Sequence, residues 1–126
     1  ITAGADVIFP VAGGLFTSTA EALREAGTGV LIGVDKNIAV TQPELADITL
    51  TSVEKRMTTA VFDVIDALAS GEEFSIEPYV GTLENDGTAL SEFGEFDSKV
   101  PADLKAKLDE LKQQIIDGTL DPLVTP

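Results

Sequence analysis

The chain has no cysteine and no histidine, and its 22 acidic residues are balanced by only 8 basic ones. Without cysteine there are no disulfides and no thiolate metal sites, although the compartment stays open. Without histidine, imidazole–metal centres and histidine-based acid–base or triad chemistry are excluded. An enzyme made from this sequence would have to work with carboxylates, lysine, serine or threonine alone. The net charge of −14 creates a field that repels phosphate backbones and anionic lipid, so the sequence argues against nucleic acid and membrane surfaces as partners. No apolar run approaches the roughly 20 residues needed to cross a bilayer. The opening, Ile1-Thr2-Ala3-Gly4, has neither an initiator methionine nor a basic leader region. It reads as entry partway through the last turn of a helix, and the expectation is a fragment of a longer protein.

What is present fits one ordinary domain. At 126 residues and 44% apolar composition, the chain can bury a real core and is not disordered. Three apolar runs organise its first half. Ala5 to Ala12 breaks at Gly13-Gly14, Gly29 to Val34 ends at Asp35, and Ile48 to Thr51 runs into Ser52-Val53-Glu54-Lys55. Short runs rich in Val and Ile, separated by helix-length segments, read as parallel strands buried on both faces with flanking helices, an α/β class. Ligands in open α/β sheets sit outside the carboxyl ends of the strands. Gly13, Gly14, Asp35 and Lys55 all fall at such ends.

Between the runs, Ser18-Thr19-Ala20-Glu21 has the pattern of a capping box and predicts a short helix with Ala20, Leu23 and Ala26 inward, stopping at Gly27. Thr51-Ser52-Val53-Glu54 repeats that pattern. It predicts a helix to about Ser70 with Met57, Val61, Val64, Ile65 and Leu68 on one stripe. Lys36 to Asp47 reads as a loop with at most a turn of helix. Pro78 to Leu83 predicts a strand, Glu84-Asn85-Asp86-Gly87 a turn, and Thr88 to Leu90 the returning arm of a hairpin. Ser91 to Val100 reads as surface loop. Pro101 suits the first helical position, and Leu104, Leu108, Leu111 and Ile115 predict a final helix with a core-facing stripe up to Gly118. The tail Thr119 to Pro126 reads as extended.

Each candidate residue has a structural reading beside the functional one. Gly13-Gly14 lets backbone approach a ligand closely, or serves only as a tight strand-to-helix turn. Asp35 closes an otherwise apolar strand, where a carboxylate can accept from both hydroxyls of a sugar diol, and the strand-end position favours that reading over a helix or turn cap or an ion pair with Lys36. Lys55, one turn into a helix, is disfavoured by the macrodipole unless a ligand oxygen lies near. Its bland reading is a solvated lysine paired with Glu54.

The motifs Gly4-Ala5-Asp6-Val7-Ile8-Phe9-Pro10-Val11-Ala12-Gly13-Gly14, Ile32-Gly33-Val34-Asp35 and Leu50-Thr51-Ser52-Val53-Glu54-Lys55-Arg56, in this order, resemble the basic membrane protein family. These are substrate-binding lipoproteins of ABC importers, of the purine nucleoside receptor type. Gly81 to Gly87 and Ile116-Asp117-Gly118 extend the resemblance over essentially the whole chain. It implies part of a two-lobed type I periplasmic-binding fold, with residues 1–50 in the C-terminal lobe. Residues 51–126 would then supply the crossover, helix and closing elements shared between lobes. It also implies a nucleoside held by Asp35 and Lys55 through its ribose hydroxyls, with Ala12, Gly13 and Gly14 against the ligand. No catalysis, cofactor or metal is implied. The implied partners are ABC permease subunits, the implied place is outside the cytoplasm on a membrane anchor beyond this chain, and the isolated fragment is expected to self-associate. The alternative is a receiver-like phosphoacceptor domain with Asp35, Ser52 and Lys55 at strand ends, though strand one lacks the acidic pair that Mg²⁺ would need.

Overall fold

The computed structural model describes residues 1–123 and has the α/β class expected. One sheet holds β1 (Val7–Ile8), β2 (Val30–Asp35), β3 (Thr49–Lys55) and β4 (Thr88–Leu90), in that spatial order. The first three strands are parallel; β4 returns antiparallel along β3, setting Val53 opposite Leu90 and Lys55 opposite Thr88. Helices α1 (Phe16–Ala26), α2 (Ile38–Thr41), α3 (Met57–Ala69) and α4 (Ala102–Ile116) fill the connections.

The core is small and one-sided. Phe16, Ala20 and Leu23, spaced to share one face of α1, pack with Leu31 of β2, Ile38 of α2 and Leu45 of the 3-10 turn Pro43–Ile48. At about 1.5–3 kcal/mol for each large side chain fully withdrawn from water, this cluster carries much of the fold. Gly33 lies where it presses on the core: a Cβ there would overlap the Ser52 hydroxyl and come within 2.5 Å of Ile38 Cγ1. Only glycine lets β2 pass so close to α2.

Several sequence expectations are corrected. The first run forms only the two-residue β1, because Pro10 cannot donate to a ladder; Val7 is 46% and Val11 70% exposed, so this run is not buried on both faces. Helix α1 begins at Phe16, directly after the 3-10 turn Gly13–Leu15, and Ser18 sits inside its first turn and caps nothing. Of its expected inward residues, Ala20 and Leu23 are buried and Ala26 is exposed. The second capping-box pattern is strand. Ser52 N–H donates to Ser91 Oγ at 2.8 Å, and Ser91 N–H donates to Ser52 carbonyl oxygen at 2.8 Å. Pairing with Ser91, 39 positions away, thus overrides a local helix signal.

Pro78 to Leu83 forms no strand. Instead Asn85 Oδ1 accepts from the N–H groups of Thr82 (2.8 Å) and Gly87 (3.0 Å), folding that stretch into a turn, and Thr88–Leu90 pairs with β3. The stretches read as loops contain helical turns, α2 and Pro43–Ile48 in one and Gly94–Lys99 in the other. Pro101 precedes α4 as its N-cap. In α4, Leu108, Leu111 and Ile115 are half-buried while Leu104 is 47% exposed, so the stripe only partly reaches the core. The last three residues of the tail expected to be extended lie outside the described residues. Among the described residues no helix is long and apolar enough to cross a membrane.

Candidate functional site

Strands β2 and β3 end side by side, with Asp35 opposite Glu54 in the parallel register. Asp35 has φ 69°, in the left-handed region that costs most residues energy and that aspartate tolerates because its short side chain is polar. The chain then bends through Lys36 into Asn37, whose Oδ1 accepts from Val40 N–H at 3.3 Å and caps α2. The cap is therefore Asn37, not Asp35. On the neighbouring strand Lys55 is the last residue of β3 and not part of a helix, so the macrodipole reading of this lysine is replaced by a strand-end one.

Beside these two residues sits an ion cluster that the sequence did not announce. Arg56 Nε donates to Glu54 Oε2 at 2.9 Å, Arg56 Nη1 donates to Asp86 Oδ2, and the Arg56 backbone N–H donates to Gly87 carbonyl oxygen at 3.0 Å. Thr88 Oγ1 donates to Glu54 carbonyl oxygen at 2.9 Å, closing the cluster. The bond to Glu54 pushes the Arg56 guanidinium pKa up from its already high value; partial burial opposes this and Asp86 adds to it. Glu54 is thus taken up by Arg56 and not by Lys55. Among the described residues, the Asp35 carboxylate and the Lys36 and Lys55 ammonium groups enter no side-chain hydrogen bond or ion pair.

These residues border an open groove of about 380 Å³, with Asp35 to Asn37 on one side and Glu54 to Thr58 on the other. The structure therefore brings Asp35 and Lys55 together. It leaves Ala12, Gly13 and Gly14 apart from that groove, all three exposed in the turn after β1, where Gly13 takes φ 57° to make the sharp entry into α1. A second cavity of about 430 Å³ lies between β4 and α4, with Val53, Leu83, Leu90, Leu108 and Ile115 in its lining, and Arg56 borders both spaces. Glu54, Arg56 and Asp86 were missed in the sequence. Their only local trace is the run Glu54-Lys55-Arg56, which there reads as the start of a helix. Among the described residues no three acidic side chains converge into a group that could hold a metal ion.

The receiver-like alternative is corrected by Ser52. That residue is fully buried and its hydroxyl accepts from Ile38 N–H at 3.1 Å, so it cannot join Asp35 and Lys55 at an accessible phosphoacceptor site.

No protein-family model matches the chain. It is 32% identical, over 94% of its length, to proteins named CD4+ T-cell-stimulating antigen from Listeria monocytogenes and Listeria innocua. The match takes in 36% of those proteins, so the chain spans about a third of the length of the curated relatives it matches. Its fold is similar to that of a transcriptional activator of the comK gene from Bacillus halodurans, with a TM-score of 0.78 and 21% identity, over 96% of this chain and 40% of that one. At that identity the likeness is one of fold.

These comparisons correct the expected membership of the basic membrane protein family and the role drawn from it. The relatives carry the name of a T-cell antigen and the structural neighbour that of a transcriptional activator. The expectations of a lipoprotein binding a nucleoside for an ABC importer, of permease partners, and of a type I periplasmic-binding fold have no support from them. The neighbour's name likewise overturns the expectation that nucleic acid is excluded as a partner.

Proposed function

We propose that this chain is a binding module that holds a small, uncharged, hydroxyl-rich molecule in the groove at the carboxyl ends of β2 and β3, and performs no chemistry on it. The observation that carries the reading is the placement of Asp35 and Lys55, both lining one groove and neither in an ion pair among the described residues. A vicinal diol suits that pair. Its hydroxyl hydrogens go to the carboxylate, and its oxygens accept from the ammonium. Arg56 supports the same chemistry by occupying Glu54, which leaves Asp35 as the free carboxylate of the groove. The left-handed backbone at Asp35 gives further support, because strain at a strand end is the kind of feature that accompanies ligand sites. The Ala12–Gly14 turn would border the ligand only if it extends beyond the groove. The groove is open, and we place its other wall in polypeptide outside these residues, within a longer regulatory protein such as the structural neighbour is named to be.

Asp35→Asn is the clean test, because asparagine also tolerates the left-handed region and the backbone is kept. Hydrogen bonds to a charged group contribute ~1.5–3 kcal/mol each, so loss of the charge should weaken binding of cis-diol sugars about tenfold, since 1.4 kcal/mol is one decade. Affinity for the matching deoxy sugars should hardly change. The measurement is a chemical-shift titration of the full-length protein with both series. Equal losses for diol and deoxy sugars, or no binding of any diol by the unaltered full-length protein, would remove this reading.

A further inference from the structure

Helix α3 is inside out. Its half-buried residues are the small or polar Thr59, Ala60, Asp63 and Ala67, and no residue of the helix is fully buried. Its large apolar residues point away: Met57 is 65% exposed, Val61 58%, Phe62 65% and Ile65 60%. The expected stripe exists, but it faces outward. A 13-residue helix is marginal on its own in water, and its stability normally comes from packing an apolar face. The only side-chain bond recorded for this helix among the described residues is Tyr79 Oη donating to Asp63 Oδ2 at 2.7 Å. An uncovered face of this kind marks an interaction surface.

We propose that the outward face of α3 is the seat of an interface with polypeptide of the same protein lying outside these 126 residues, presenting an apolar surface edged with basic side chains. Two observations choose this occupant over a second copy. The first is charge: Asp66 is exposed on α3, which carries no cation, Glu72 and Glu73 follow it, and the whole chain stands at −14. Two such faces brought together would repel, whereas a basic edge would be attracted. The second is length. The relatives and the structural neighbour are proteins of which this chain matches 36% and 40%, and the neighbour's likeness covers 96% of this chain. The larger part of such a protein is therefore available to cover the face. The interface does not depend on the ligand proposed above.

Cysteine protection tests it, since the chain has no cysteine of its own. Ile65→Cys on the outward face and Ala106→Cys on an exposed position of α4 are each placed in the 126-residue chain and in the full-length gene product. Reaction with a maleimide is then followed by peptide mass spectrometry. The expected result is rapid labelling at both positions in the short chain. In the full-length protein, labelling at residue 65 should be at least tenfold slower while residue 106 is unchanged. Equal rates at residue 65 in the two proteins would overturn the proposal. So would protection at residue 65 in the short chain together with a dimer mass by sedimentation, which would make the occupant a second copy.

Discussion

The hydroxyl of Ser52 accepts a 3.1 Å hydrogen bond from the backbone N–H of Ile38, joining β3 to α2 at a point where both residues are fully buried. This bond fixes the turn that follows Asp35, since Ile38 opens α2 three residues beyond it. Ser52→Ala leaves the Ile38 N–H buried without a partner, which costs about 1–3 kcal/mol. Urea unfolding should show a lower midpoint with an unchanged slope. A midpoint equal to that of the unaltered chain would mean that the N–H finds another acceptor and that the turn does not depend on Ser52.

How far the sequence revealed this architecture depends on where each signal originates. The run Gly29 to Asp35 is legible because its apolar residues and terminal carboxylate are contiguous, and Asp35 does close a strand, of which one face is buried at Leu31 and Gly33. Ala20 and Leu23 are legible for the same reason, through helical spacing. Lys55 does fall at a strand end, but the helical reading of its surroundings fails, because those residues take strand geometry from Ser91 and Thr88, 39 and 34 positions away from their partners Ser52 and Glu54. The Arg56–Asp86 contact spans 30 positions and depends on a turn shaped by Asn85, so no local pattern could show it. The stripe of α3 is apolar, as its spacing implies. Which way it faces depends on what lies against it, and periodicity carries no information about that.

The Arg56 cluster gives a graded expectation. The Arg56 side chain is 34% exposed, Glu54 16% and Asp86 56%, so the two halves of the cluster are not equivalent. Arg56→Met strands the more deeply placed carboxylate of Glu54 and frees the Asp86 turn, for a loss of about 1–2 kcal/mol after discounting for solvent screening. Asp86→Ala removes only the exposed arm and should cost less than half as much. Arg56→Lys should recover little, because a single ammonium cannot serve both acids with the fork that guanidinium provides. Unfolding at low and high salt checks the order. Equal losses for Arg56→Met and Asp86→Ala would show that the Glu54 arm contributes nothing.

Tyr79 makes the tether between α3 and the loop before β4 visible as a pH effect. Its hydroxyl donates to Asp63, and that bond, with smaller help from desolvation and the charge of Asp63, raises the phenol pKa above its ordinary value near 10. The folded state therefore holds the phenol proton more tightly than the unfolded state does. Stability from this contact is fully present below the ordinary pKa and is lost as pH climbs through the raised one, since the unfolded chain ionises first. The chain has a single tyrosine, so near-ultraviolet absorbance follows this group alone. The phenol should titrate at higher pH in the native chain than in urea, and Asp63→Ala should bring the two curves together. Tyr79→Phe should remove the corresponding decline in stability at alkaline pH. If the native and urea-unfolded chains titrate at the same pH, the Tyr79–Asp63 bond is not populated in solution, and α3 is then tethered to that loop by the backbone alone.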